Sequence, residues 1–128
     1  MSLRTSRSTL LATAGAAVLA FVALDGQAFA HAHLKSATPA VDGTVATAPT
    51  ELDLNFSEDL NLKFSGVKVT GPDKSAVATG NAMLMNNNTT LMVPLTGTLK
   101  AGAYKVDWHA LSADGHKTHG SYKFTVKP

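Results

Sequence analysis

Five runs of this chain alternate apolar and polar residues with a period of two, and that rhythm confines it to β structure. Leu52, Leu54 and Phe56 alternate with Glu51, Asp53 and Asn55. Val67 and Val69 alternate with Lys68 and Thr70, and Leu91, Val93 and Leu95 with Met92 and Pro94. Tyr104, Val106, Trp108 and Ala110 alternate with Lys105, Asp107 and His109. Tyr122, Phe124 and Val126 alternate with Lys123, Thr125 and Lys127. Successive side chains of a strand point to opposite faces, so each run predicts a strand with one buried side. Gly71-Pro72-Asp73-Lys74 and Lys100-Ala101-Gly102 read as turns, and Asn86 to Thr90 as a loop. Pro94 suggests an edge strand, because proline cannot donate to a ladder. No helical stripe, linker or internal repeat is visible. The expectation is all-β: a small Greek-key β-sandwich with Trp108 at the centre of its core.

Residues 1–30 read differently. Arg4 and Arg7 precede an apolar run from Leu10 to Leu24, and Ala28-Phe29-Ala30 supplies a small-x-small cleavage site. These are the parts of a secretory signal. The apolar run is shorter than the roughly 20 residues that span a bilayer. The predicted organisation is a signal peptide at 1–30 and one domain at 31–128, exported and without a membrane span. That domain keeps nine lysines and eight acidic residues. The lysines are scattered, so no nucleic-acid surface is expected.

The chain has no cysteine, so the core alone must hold the domain, and any metal ligands must be nitrogen, oxygen or thioether. All five histidines lie beyond the predicted cut. Cleavage after Ala30 makes His31 the first residue, with an α-amine and an imidazole that can grip one ion together. A second geometry is also open: the His31 amine, two deprotonated amides and the imidazole of His33 form a square plane. Such nitrogen-rich tetragonal sites favour Cu(II). The bland alternative is a pair of solvated histidines on a frayed terminus.

The second cluster runs from Ser112 to Gly120 and contains Asp114, Gly115, His116 and His119. In an extended segment Asp114 and His116 point to one side, about 6–7 Å apart, close enough to converge on one ion. His119 reads as a surface group or a support behind the ligands, and His109 as a solvated residue on the outer face of its strand. Glu58 and Asp59 read as a solvated strand end, with Glu58 a lesser metal candidate. Met83, Met85 and Met92 could be soft ligands for Cu(I), but core packing is the favoured reading. No nucleophile elbow or phosphate loop appears.

Together these pieces resemble the copper-resistance protein CopC family, and most closely its short YobA-like branch. The residues that carry the resemblance are His31-Ala32-His33-Leu34-Lys35-Ser36 with Pro39-Ala40, Leu54 to Glu58, and Phe64-Ser65-Gly66. Ala101 to His109, Ser112 to His116 and Gly120 to Val126 complete it. The resemblance implies a periplasmic, cupredoxin-like sandwich that binds one Cu(II) at one end. It implies His31, Asp114 and His116 as ligands, with His33 recruited in some members. It also implies a separate CopD-like inner-membrane copper transporter as partner. Longer members hold Cu(I) on a Met-rich loop. Val69 to Met92 lacks that methionine density and its histidine, which argues against a second site. A copper-dependent polysaccharide oxygenase shares the amine–imidazole grip, but one Trp and two Tyr make a poor sugar platform. The expected function is therefore copper binding in resistance or homeostasis, not catalysis. The third alternative is a structural sandwich with adventitious histidines.

Overall fold

A computed structural model describes residues 31–128. The expected signal segment and its cut after Ala30 lie outside the described residues. The strands are β1 (Leu34–Thr38), β2 (Gly43–Val45), β3 (Glu51–Phe56), β4 (Gly66–Thr70), β5 (Ala76–Val77), β6 (Met83–Met85), β7 (Thr90–Pro94), β8 (Gly102–Leu111) and β9 (Lys117–Val126). One sheet runs β1-β3-β7-β6 and the other β2-β9-β8-β4-β5. All pairings are antiparallel except β2 with β9. Three hairpins, β4–β5, β6–β7 and β8–β9, stay within a sheet, and every other connection crosses between sheets. The result is the Greek-key sandwich expected from the alternation, and the cupredoxin-like architecture that the resemblance implies. Among the described residues no helix is long and apolar enough to cross a membrane.

The inward faces of the five alternating runs meet between the sheets. Leu52, Leu54, Leu91 and Val106 are wholly buried. Burying a side chain of this size stabilises by roughly 1.5–3 kcal/mol, against about 2–4 kcal/mol for a disulfide. A handful of such residues therefore does the work of the missing staples. Tyr104 stacks on Phe124 at 5.3 Å, and Phe56 meets Trp108 edge-on at 5.1 Å. Gly120 lies opposite Trp108 across β8 and β9. A Cβ at position 120 would come within 2.7 Å of the indole ring, so the tryptophan needs glycine there.

Two expectations change. Pro94 is not on an edge strand, because β7 lies between β3 and β6. It is tolerated because it ends the strand, beyond the stretch Thr90 to Met92 that pairs with β6. Met83 and Met85 do not pack in the core. They are 47% and 43% exposed on β6, where Leu84 takes the inward place. Met92 faces Met83 across the strand pair.

Candidate metal centre

The β8–β9 hairpin presents the second cluster at one end of the sandwich. Its loop is not the extended segment that the Asp-x-His spacing suggested. Ser112 to Gly115 is a turn, in which the Gly115 amide donates to the Ser112 carbonyl at 2.8 Å. Gly115 has φ +96°, a conformation that glycine adopts without strain. The Ser112 amide closes the loop on the His116 carbonyl at 2.9 Å. The loop is braced from below, because the Ala113 amide donates to the Asp59 carbonyl and the Asn61 amide to the Leu111 carbonyl, both at 2.8 Å.

Within the turn, Asp114 Oδ1 lies 3.2 Å from His116 Nδ1. The Ser112 hydroxyl donates to the same carboxylate oxygen. The His116 amide approaches Ser112 Oγ at 3.2 Å and Asp114 Oδ1 at 3.4 Å. The Ser112 hydrogen bond, followed by that from His116, holds the Asp114 carboxyl below its ordinary range. With Nδ1–H facing the carboxylate, Nε2 is the His116 nitrogen left for a metal. These contacts all use Oδ1, which leaves Oδ2 as the oxygen available to an ion. Both side chains are about half exposed.

The N-terminal histidines reach this hairpin because the segment carrying them is tied down. Ala32 is completely buried. Its carbonyl accepts from Thr118 Oγ1 at 2.9 Å. The His33 amide donates to Ser57 Oγ at 2.8 Å, and the Ser57 amide returns a bond to the His33 carbonyl at 2.9 Å. Ser57 Oγ also reaches the His31 carbonyl at 3.4 Å. The segment is therefore clamped between the end of β3 and the start of β9. The His31 ring meets the His116 ring edge-to-face at 4.8 Å.

The structure thus brings together His31, Asp114 and His116, three of the four residues singled out as ligands. His33 is exposed, and it is tethered through its backbone. Among the described residues no group of three or more His, Asp or Glu side chains is placed to hold a metal ion as the side chains stand. His116 touches His31 on one side and Asp114 on the other, so imidazole and carboxylate donors of the kind that bind divalent transition metals are neighbours here. His109 and His119 face each other across β8 and β9 on the exposed outer side of the sheet. Glu58 follows Ser57 and is half-buried. Ser57, Ser112 and Thr118 carry the geometry but were not singled out from sequence. Only Ser112, two residues before Asp114, offered a local signal, that of a hydroxyl bonding within its own turn.

A model of the CopC domain matches residues 34–127. This chain belongs to the CopC domain family. The match starts directly after His33 and includes Asp114 and His116. This CopC-domain chain is 47% identical over 100 residues to protein YobA of Escherichia coli K12, covering 77% of this chain and 81% of that protein. It is 40% identical over 130 residues to copper resistance protein C of Pseudomonas syringae pv. tomato, covering 97% of both. The crystal structure of PcoC, a methionine-rich copper resistance protein from Escherichia coli, matches with a TM-score of 0.68 at 41% identity, covering 77% of this chain and 100% of PcoC. This CopC domain is not methionine-rich, with Met83, Met85 and Met92 beyond Met1.

Proposed function

We propose that this CopC-domain protein is exported to the periplasm, cut after Ala30, and binds one Cu(II) ion per mature chain. The His31 amine and imidazole, the His116 imidazole and the Asp114 carboxylate hold the ion, and His33 competes for a position. Copper is cargo here: the protein sequesters it or hands it over, with a CopD-like inner-membrane transporter as separate partner. The observation that carries this reading is the 4.8 Å contact between the His31 and His116 rings, with Asp114 3.2 Å from His116. It brings residues from opposite ends of the domain into contact on a solvent-facing surface. The kinship with copper resistance protein C and PcoC supports copper as the ion.

The amine, the two imidazoles and the carboxylate supply four borderline and hard donors, on side chains that face solvent and so leave the ion open to exchange. Ser112 and Asp114 fix the His116 ring so that Nε2 faces the ion. An exchangeable site of this kind suits transfer better than turnover.

The test is titration of Cu(II) into the mature protein, after intact mass has located its N-terminus. The expected results are a first residue of His31, one ion per chain, and an affinity that falls about tenfold or more in His116→Ala. Unchanged affinity in His116→Ala would remove the folded site.

A further inference from the structure

We infer that Ser57, helped by Thr118, is a positioning residue that selects how the N-terminus grips copper. It holds the backbone of Ala32 and His33 away from the ion and reserves the His31 amine and imidazole for the site shared with His116. The inference rests on the reading above that His31 becomes the free terminus.

A His-x-His terminus has a strong local alternative. The His31 amine, the Ala32 and His33 amide nitrogens and the His33 imidazole can wrap one Cu(II) in a square plane without help from the rest of the fold. Such a plane would leave His116 and Asp114 idle, so the domain needs something to prevent it.

The fold supplies three obstacles. The His33 amide nitrogen, which would have to face the ion, points its hydrogen at Ser57 Oγ over 2.8 Å. The Ser57 amide binds the His33 carbonyl at 2.9 Å, so His33 and Ser57 are paired in both directions, as neighbours in a ladder are. The Ala32 carbonyl is held by Thr118 Oγ1 at 2.9 Å, and its methyl group is wholly buried. Forming the square plane would require Ala32 to leave the core and His33 to break from Ser57. The His31 ring sits outside this clamp, against His116, so only the terminal residue is left free to bind.

Visible absorption and EPR of the mature protein with one equivalent of Cu(II) provide the test. The samples are the wild type, Ser57→Ala, Ser57→Ala/Thr118→Ala and Ser57→Thr, each with and without His116→Ala or His33→Ala. Deprotonated amides are strong-field ligands, so the square plane absorbs at shorter wavelength than the shared site. In the wild type, His116→Ala should change the spectrum and weaken binding about tenfold or more, and His33→Ala should have much the smaller effect on both. In Ser57→Ala/Thr118→Ala the band should move to shorter wavelength, lose its dependence on His116 and acquire one on His33. Ser57→Ala alone should show a mixture, and Ser57→Thr, which keeps the hydroxyl, should restore the wild-type spectrum.

If the double variant keeps the wild-type band and its full sensitivity to His116→Ala, the selecting role of Ser57 is wrong and the shared site stands. If the wild type itself ignores His116→Ala, the shared site is wrong and the inference falls with it.

Discussion

Ser112 does the most for the candidate site per atom. Its hydroxyl, almost wholly buried, donates to Asp114, and its oxygen receives the His116 amide. Ser112→Ala should lower Cu(II) affinity about tenfold and cost about 1–3 kcal/mol of stability through the unsatisfied partners. Chelator competition and urea unfolding would show the two effects separately. His31, Asp114 and His116 could be named as candidates from the sequence because their side chains are of metal-ligating types and the resemblance to the CopC family marks their positions. Ser57 and Thr118 could not, because serine and threonine hydroxyls occur everywhere. What distinguishes these two is contacts across 24 and 86 residues, which no local pattern encodes.

Among the elements, the β8–β9 hairpin links core to site. Its strands were legible where the alternation is regular, from Tyr104 to Ala110 and from Tyr122 to Lys127, and Tyr104, Val106, Trp108, Tyr122, Phe124 and Val126 all face inward as expected. The first half of β9, Lys117 to Ser121, carries no such rhythm and was not legible as strand. The hairpin's loop was not legible either, since Asp-x-His reads equally as strand or turn until Gly115 takes its positive φ. β1, β2 and β5 were missed because two to five residues with few buried positions give no rhythm. The packing reading of Met83 and Met85 failed for the same reason, as the face of an edge strand three residues long cannot be assigned from sequence.

Two element-level outcomes follow. Gly120→Ala forces a methyl into the Trp108 ring and should destabilise by about 1–3 kcal/mol, seen as a lower urea midpoint with an unchanged slope. The second concerns Asp73, which ties the β4–β5 turn to Lys100 at 3.2 Å and binds the Ser75 hydroxyl at 2.7 Å. The hydrogen bonds from Ser75, and after them that from Lys100, lower its pKa to about 2. A depressed carboxyl contributes stability above its unfolded pKa of about 3.9, and that contribution is lost as pH falls toward about 2. Asp73→Asn should therefore flatten the fall in thermal stability between about pH 4 and pH 2. An acid limb identical to the wild type's would show that the turn does not depend on this charge.

Across the whole molecule, a cysteine-free core holds two sheets together, and the site joins the N-terminal segment to the last hairpin. An ion bound by both should stabilise the fold by mass action, by about 2.7 kcal/mol when free Cu(II) is a hundred times Kd. For a domain of this size that is a rise in Tm of about 10–20 °C. The rise should be largely lost in His116→Ala, because the ion would then hold the terminus alone. An equal rise in the variant would place copper outside the shared site.

The central claim is that the His31 amine and the hairpin bind one ion together. Chelator competition comparing the Cu(II) affinity of a chain that begins at His31 with one that begins at Ala30 tests it most directly. The single extra residue turns the amine into an amide and leaves both imidazoles and the fold in place. A Kd about tenfold or more weaker for the chain beginning at Ala30 is the predicted result, and equal affinities would contradict the account.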